Sequence, residues 1–460
     1  MKIRLLLCLL IALVNVSWSV PPARGQEASS SAGSRLSDKP IPLDKTLERP
    51  PPLVELGDPF LGTGNLQKGF TLPGGAVWQP SLVLFGDYRS AVQTFSDGKK
   101  QFSEWANRLD IFANLQLTGT ERVLLGLRPL DRDGRYFGYQ FDSNAGFKRR
   151  LDGNLAMLFF EGDIGEMFPN LDLYDRQSLD YGFSVGRQPL LLQDGMLLND
   201  TIDSIGIVRN SLHTPWTSGW RLNFYYGWNN VHRNDNKVDD SAQLVGLSTS
   251  ADFYWSTMDL DVVYVPAGGK TGDGFYGGVG AIQRLVLFDT TLNTTFRVLG
   301  SSALNKSTPQ TNNGALLFTQ IGVTPLGTLD WLYLNAFWAI DKFSSAARGP
   351  EEGGPLGRTG LLFSAIGIGR YGSALGNQAE NSAGLALGYQ IFFSEFRRQL
   401  LVEVGARKDT KGTRQDALAL GARVQQAIWR HLLLQLDAFV AGGRNRGPGY
   451  GGRTELVVKF

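Results

Sequence analysis

The chain has 460 residues, of which 56 are glycine, 10 are tryptophan and one is cysteine. Its 45 basic and 43 acidic residues almost cancel, so it lacks the basic excess that nucleic-acid backbones require, and a nucleic-acid partner is excluded. A single cysteine likewise excludes a disulfide framework and a cysteine-ligated metal site. What remains is a long, glycine-rich chain in which only 19% of residues are charged.

The first residues have the pattern of a secretory signal peptide. Lys2 and Arg4 precede an apolar run over 5–14, and Ala23-Arg24-Gly25 then has the small-x-small pattern of a cleavage site. Such a run is about half the length that a transmembrane helix needs, so we expect residues 1–25 to be removed after export. The only cysteine lies inside the run, and the exported chain would therefore contain no thiol.

The next block differs in composition from the rest of the chain. Three serines at 29–31 and three prolines at 50–52 are typical of a tether, and glycine and proline stay frequent up to Gly75. We interpret residues 26–75 as a periplasmic lead-in or a plug segment. The main domain is then expected over residues 76–460.

After residue 75, apolar residues alternate with polar or small ones. From Trp220 to Trp228 the even positions are large and apolar while the odd ones are small or polar, and 417–424 follows the same rule. Period-two alternation places the two sets on opposite faces of a strand. No stretch reaches the 18 or so apolar residues of a membrane helix. The chain is therefore predicted to be all-β.

Two features favour a membrane barrel over a soluble sandwich. Aromatic residues close both ends of the apolar faces, and ten tilted residues rise roughly 25 Å, the height of an outer-membrane apolar belt. The chain also ends with Leu456, Val458 and Phe460 on one face. This ending resembles the C-terminal signature by which the outer-membrane assembly machinery recognises its barrels. We expect an outer-membrane protein whose partners are that machinery and the membrane lipid.

The alternation predicts an antiparallel, up-and-down transmembrane β-barrel of about 18 strands. The count falls to sixteen if the weak segments 203–210 and 241–248 belong to loops. The predicted strands are 76–90, 103–118, 121–130, 151–162, 178–187, 203–210, 218–229, 241–248, 252–265, 275–287, 291–300, 313–324, 328–342, 381–393, 398–408, 414–426, 430–441 and 452–460.

The connections agree with this count. With both termini periplasmic, every tight connection falls on the periplasmic side, where barrels of this kind have short turns. Residues 343–380 are expected to form one long external loop whose apolar middle folds into the mouth. The predicted tight turns are 119–120, 249–251, 288–290, 325–327, 394–397 and 427–429.

Charged residues on the strands are expected to face the lumen, because an arginine on the lipid face costs about 2–4 kcal/mol at the midplane. Among the predicted inward charges, arginines outnumber acids and would attract an anionic solute. Alternatively, the inward arginines simply pair with the inward acids. Small inward residues such as Ala419, Gly405 and Gly421 are expected to leave open space. The predicted pore-lining residues are Arg108, Asp110, Arg122, Arg128, Asp180, Arg187, Arg221, Asp261, Arg297, Glu403, Arg407 and Arg423, with Asp259, Asp437, Arg453 and Glu455 on the same faces.

One stretch carries a family resemblance. Gly186-Arg187-Gln188, Asp194-Gly195 and Val208-Arg209-Asn210 resemble the strand–loop–strand region of alginate-export-type porins. The resemblance implies an eighteen-stranded, arginine-lined channel for anionic polysaccharide or small solutes. Strict alternation puts Arg187 in phase with lipid-facing Val185, so only a bend at the strand end would bring it into the lumen.

The sequence thus leaves two function classes. The first is a passive diffusion or export channel for small or anionic, possibly carbohydrate, solutes; the alternative is a structural or adhesive barrel that acts through its external loops. We expect no enzymatic activity, no cofactor and no metal. The three histidines lack the spacing of metal ligands, and the glycine-rich stretch 277–280 lacks the lysine of a phosphate loop.

Overall fold

The structure, a computed structural model, describes residues 50–58, 67–142, 145–153, 155–174, 178–268, 271–287, 290–393, 396–412, 416–444 and 446–460. The predicted signal peptide, residues 1–25, lies outside the described residues. Almost all of the described chain belongs to one antiparallel sheet that closes on itself. Among its helices, none has the length and apolar character needed to cross a membrane.

Eighteen consecutive strands of the described chain form the closed sheet, and the last pairs with the first from Lys459–Asp87 to Tyr450–Ser96. They are β1 (Ser81–Ser96), β2 (Gln101–Gln116), β3 (Arg122–Leu127), β4 (Leu155–Asp163), β5 (Tyr181–Leu192), β6 (Leu198–Thr214), β7 (Thr217–Asn229), β8 (Leu244–Asp252), β9 (Ser256–Val265), β10 (Gly274–Leu287), β11 (Thr290–Ala303), β12 (Gly314–Val323), β13 (Trp331–Lys342), β14 (Glu380–Phe393), β15 (Arg398–Asp409), β16 (Ala417–Trp429), β17 (Leu432–Gly443) and β18 (Arg446–Lys459).

The predicted fold class is confirmed. Each of the eighteen predicted strands overlaps one observed strand, and the two weak segments are the full strands β6 and β8 rather than loops. The alternation also has the expected sense: Leu418 is 61% exposed, whereas Ala417 next to it is 7% exposed. An outer surface of large apolar side chains around a polar lumen locates the barrel in a bacterial outer membrane.

Two predicted turns are wrong, and two others, 288–290 and 394–397, lie partly outside the described residues. Residues 249–251 lie inside β8, and the turn follows at 253–255; residues 427–429 end β16, and the turn is 430–431. The first error has a physical cause. The polar run at 248–250 resembles a turn in sequence, but it lines the wet inner wall of a strand. The second error arises because β16 continues to Trp429, an exposed residue, before the chain turns.

The described parts of the lead-in lie at the barrel end where β18 stops. A three-residue strand, Val54–Leu56, pairs with Leu82–Leu84 of β1, directly beyond the point where β18 stops. A small hairpin, Phe70–Thr71 with Val77–Trp78, packs nearby. No residue of 50–58 or 67–75 lines either of the two lumen cavities described below.

Shorter elements cap the barrel at both ends. A helix, Ile164–Met167, and a 3-10 turn, Pro169–Leu171, connect β4 to β5 on the periplasmic side. On the external side, Asp131–Arg132, Arg135–Gln140 and Gly146–Lys148 form a hairpin that pairs with the upper part of β2. Two further 3-10 turns, Gln193–Gly195 and Pro355–Thr359, and a short strand, Ala347–Arg348, belong to the loops that enter the lumen.

The long external loop folds into the mouth, as the sequence suggested. Its short strand runs parallel to Leu198–Asn199 at the top of β6. Its apolar middle contains Leu362, Phe363 and Ile368, all at most 1% exposed. The buried hydrophobic cluster of the molecule therefore lies between this loop and the inner wall, not between two sheets.

Candidate functional site: the lumen and its two inward loops

Glycine and alanine on the inner wall make room for the long loop. A Cβ atom at Gly421 would lie 2.7 Å from Cδ2 of Leu362, and one at Gly405 would lie 2.8 Å from Cδ1 of Leu375. Ala419, between them, is 3% exposed. The expectation that these residues leave open space is therefore wrong, because loop leucines occupy that space.

Several predicted pore-lining charges hold the same loop by its backbone. The guanidinium of Arg407 donates to the carbonyl oxygens of Gly376 at 3.3 Å and Gln378 at 3.1 Å. The carboxylate of Glu403 accepts from the N–H groups of Leu361 at 2.9 Å and Leu362 at 2.8 Å. In the structure both side chains bind the backbone of the long loop.

The first strands anchor the loop in the same way. Arg108 donates to Asp110 at 2.6 Å and to the carbonyl oxygen of Gly367 at 2.9 Å. Arg128 donates to the second oxygen of Asp110 at 2.7 Å and pairs with Glu351 of the loop. One buried aspartate thus bridges two arginines, and each arginine reaches a different part of the loop.

The charges near the closing strand neutralise one another. Arg423 donates to Asp437 at 2.6 Å, and Arg453 lies beside Asp437 and Glu455 with no exposed side-chain surface. Arg89, an inward residue that the sequence analysis omitted, binds Glu455 at 2.5 Å. On this half of the wall, the alternative that inward arginines pair with inward acids describes the geometry.

A second, shorter loop enters the lumen at Gln193, Asp194 and Gly195. All three have left-handed backbone conformations, with φ of 51°, 53° and 78°. Such a turn is costly for non-glycine residues unless its surroundings hold it. A Cβ at Gly280 would lie 2.8 Å from Oε1 of Gln193, so the glycines of β10 provide the space for the turn.

Two predicted pore residues hold this turn in place. Arg297 donates to Oε1 of Gln193 at 2.6 Å and pairs with Asp194 at 2.8 Å, although its side chain is only 2% exposed. The amide of Gln193 donates in turn to Asp261 at 2.7 Å. The turn, which we call the inner turn (193–195), is therefore fixed to the wall by a buried ion pair and two side-chain hydrogen bonds.

Below the inner turn lies a cavity of about 700 Å³, which we call the lower cavity. Arg221 lines it, is exposed, and its side chain makes no hydrogen bond or ion pair with the described residues. Carboxylates outnumber arginines here, contrary to the expectation that arginine dominates. Its charged lining residues are Glu161, Asp163, Asp194, Arg221, Asp259, Asp261 and Arg297.

Above the inner turn, between it and the long loop, is an upper cavity of about 380 Å³. Asp194 lines both cavities, so the inner turn separates them. Arg358 of the long loop lines the upper cavity, is half exposed, and places its Nε 3.8 Å from Oδ2 of Asp194. Asp194, Arg358 and the buried Arg297 form the charged rim of this constriction.

Three predicted residues lie elsewhere. Arg122 pairs with Glu161 at 2.5 Å near the lower opening, and Asp180 lies just before β5, where its carbonyl oxygen accepts from Arg209. Arg187 does not reach the lumen. It shares the outward face with Val185, and binds Asp203 on that face at 2.7 Å.

The inference that a bend turns Arg187 inward is therefore wrong. Pairing between β5 and β6 continues without a shift through Arg187 and Asp203. Strict alternation thus holds to the end of the strand, and the arginine satisfies its charge with a neighbouring acid.

Sequence reasoning missed the residues of the constriction itself. Asp194 was noted only for a family resemblance, and Arg358 and Arg348 were not noted. Arg348 is buried, donates to the carbonyl oxygen of Gly195, and burial lowers the pKa of its guanidinium to about 10. These residues belong to loops, where no periodicity tells which side chain faces the pore.

Comparison with known proteins supports the fold. No protein-family model matches the chain, and no curated protein matches it. Among solved structures it is similar to the outer-membrane protein OpdK of Pseudomonas aeruginosa, with 10% identity and a TM-score of 0.55 over 82% of this chain and 98% of that one. It is also similar to OccAB2 of Acinetobacter baumannii, with 12% identity and a TM-score of 0.56 over 82% and 98%.

A third similar structure contains a ligand. It is OccK2 (OpdF) of P. aeruginosa in complex with glucuronate, with 12% identity and a TM-score of 0.54 over 82% of this chain and 98% of that one. At 10–12% sequence identity, these similarities show a shared fold only. None of these matches ties the chain to the alginate-export-type porins, so that resemblance stays a prediction.

Proposed function

We propose that the protein is a porin-like channel through which small polar solutes diffuse passively across the outer membrane. The observation that carries this proposal is the pair of cavities that share Asp194, one on each side of the inner turn. A barrel of this size encloses a lumen that the side chains of its own wall do not fill. Two loops then narrow the lumen, which is how such a channel would select solutes by size and charge.

We further propose that anionic solutes, including carbohydrate acids, contact Arg221 and Arg358. Both guanidiniums are exposed in a cavity, whereas Arg407, Arg423 and Arg297 are engaged by the loops or by acids. Arg221 has no side-chain partner among the described residues, and Arg358 has only a long ion pair with Asp194 at 3.8 Å, so each guanidinium can offer two parallel N–H donors to a carboxylate. The glucuronate complex of OccK2 supports this only as an example of what a barrel of this fold binds.

Conductance in planar bilayers tests both statements. The purified protein is expected to form ion-conducting channels, and Arg221→Gln with Arg358→Gln should lower the anion-to-cation permeability ratio about twofold to fivefold, because two exposed positive charges leave the pathway. The control is Arg132→Gln with Arg430→Gln, which removes the same charge from exposed positions that line neither cavity.

Two outcomes would contradict the proposal. A barrel that inserts but carries no current would instead support the structural or adhesive alternative. Equal reversal potentials for the wild type and the double variant would show that Arg221 and Arg358 do not set ion selectivity.

A further inference from the structure

A third cavity, of about 360 Å³, lies at the external mouth and belongs to neither part of the pore pathway described above. It lies between the external hairpin, as described over residues 131–142 and 145–150, and Gly369–Arg370 of the long loop. We call it the mouth alcove. Its volume is within the range of sites that bind small molecules.

Most of the charge that lines the mouth alcove is positive. Arg370 is already neutralised, because it binds Glu104 at 2.9 Å and Asp142 at 2.6 Å. The other basic residues are Arg135, Lys148 and Arg150, and none of them makes a hydrogen bond or ion pair with the described part of the chain. Three cations beside one cavity, with no acid of their own, repel one another and lack a counter-charge.

The register of the hairpin shows which way the alcove faces. Gly138 pairs with Lys148, whereas Tyr139 pairs with Phe147 on the opposite face. Phe147 is 65% exposed and lies on the outer side of the hairpin. Tyr136 has the same parity as Gly138, and its hydroxyl donates to Gly367 of the loop inside the mouth. Lys148 therefore points into the entrance and away from the face that carries Phe147.

We propose that the mouth alcove binds the phosphate group of a small phosphorylated solute. A phosphate monoester carries up to two negative charges and three acceptor oxygens, which match one lysine and two arginines better than a single carboxylate does. Lys148 lies on the face of the hairpin opposite exposed Phe147 and towards the entrance, so we take the ligand to be a soluble solute rather than a lipid headgroup. The site extends the proposed channel function by collecting the solute at the entrance.

Calorimetric titration of the purified full-length mature chain with glucose 6-phosphate, inorganic phosphate and glucose tests the site. The wild type should bind both phosphate compounds and not glucose. Lys148→Gln with Arg150→Gln should weaken binding at least tenfold. Arg149→Gln, which removes an exposed charge between them that does not line the alcove, should change it less than twofold.

A charge-conserving variant, Lys148→Arg with Arg150→Lys, guards against loss of binding through misfolding, since it should retain affinity within a few-fold. The proposal is overturned if the wild type gives no phosphate-dependent heat, if the double glutamine variant binds like the wild type, or if Arg149→Gln loses as much. Displacement of glucose 6-phosphate by lipopolysaccharide would overturn the assignment to a soluble solute. Calorimetric titration does not depend on ion current. A negative binding result is therefore distinguishable from a protein that does not conduct.

Discussion

Burial decides which arginines of this lumen can meet a solute. Arg297 projects from the wall towards the inner turn, and its side chain is only 2% exposed because that turn covers it. Arg221, on a neighbouring part of the same wall, is exposed and makes no such contact. Two residues that alternation makes equivalent therefore have different roles: one holds a loop and the other faces water.

Replacing Arg297 should release the inner turn. In Arg297→Gln, Asp194 keeps only its longer ion pair with Arg358, and Asp259 loses its pairing with Arg297. Because both carboxylates are partly exposed, the unfolding free energy should fall by about 1–3 kcal/mol. The turn should then fluctuate, and single-channel recordings should show closures several times more often. Arg221→Gln is the control, with a stability change of about 0.5 kcal/mol or less. A single-channel recording without additional closures, together with unchanged stability, would contradict the role of Arg297 in holding the inner turn.

Asp131 should make stability depend on pH. It lies outside the membrane-spanning strands, and burial together with nearby Glu351 raises the pKa of its carboxyl to about 6. The folded state then binds this proton more tightly than the unfolded state, so the stabilising effect is complete below about pH 4 and is lost as pH rises through about 6.

Chemical unfolding in detergent at several pH values measures this effect. A shift from 3.8 to about 6 corresponds to a loss of about 3 kcal/mol between pH 4 and pH 7. Asp131→Asn should remove that part of the pH dependence, whereas Asp133→Asn, at an exposed neighbouring position, should keep it. If the unfolding free energies of the wild type and Asp131→Asn change in parallel with pH, Asp131 is not the group responsible.

At the scale of elements, the long loop and the wall behind it are complementary. Gly421 and Gly405 accept loop leucines, and Glu403 and Arg407 bind the loop backbone on either side of them. The glycines and the charged side chains of the wall therefore hold the same segment of the long loop. A loop held at so many points forms a permanent part of the pore wall rather than a mobile cover.

A larger side chain at Gly421 should push that loop away from the wall. Even a bare Cβ would lie 2.7 Å from Leu362, which is 1% exposed and has little room to move. Gly421→Val should cost about 1–3 kcal/mol through overpacking and raise the open-channel conductance, because the loop shifts out of the lumen. Gly442→Val is the matched control, since no atom lies within 4 Å of its Cβ position. Unchanged conductance would mean that the loop repacks in place.

The strands were predictable because each one has to satisfy lipid on one face and water on the other. Period-two alternation follows from that requirement, and it assigned Leu418 to the outer face and Ala417 to the inner one, although the prediction that Arg187 lines the pore was wrong. It failed at residues 249–251, where polar residues on a wet wall resemble a turn. It gave no information on Leu362 or Asp194, because what fills a lumen depends on loop conformation, which no periodic pattern encodes.

For the whole molecule, closure of the barrel involves both ends of the chain. The edge of β1 is covered by β18 from Ser96 to Asp87, and Phe460 then exchanges two backbone hydrogen bonds with Gly86 at 2.8 and 3.0 Å. Val54–Leu56 covers the next residues, Leu82–Leu84. An unpaired strand edge within a membrane leaves backbone groups without partners, so this small strand completes the seam. The role of Leu456, Val458 and Phe460 in assembly stays a prediction.

Deleting residues 53–57 should therefore weaken the seam without changing the pore. The N–H of Leu53 donates to Leu84 at 2.8 Å, and loss of this bond and of the pairing beside it should cost about 1–3 kcal/mol. Heat-dependent migration on gels, which separates folded from unfolded barrels, should then show a lower unfolding temperature. Deletion of residues 30–34 is the control of equal length. Conductance should stay at the wild-type value in both variants, because residues 53–57 line neither lumen cavity; a changed conductance would place this segment in the permeation path instead.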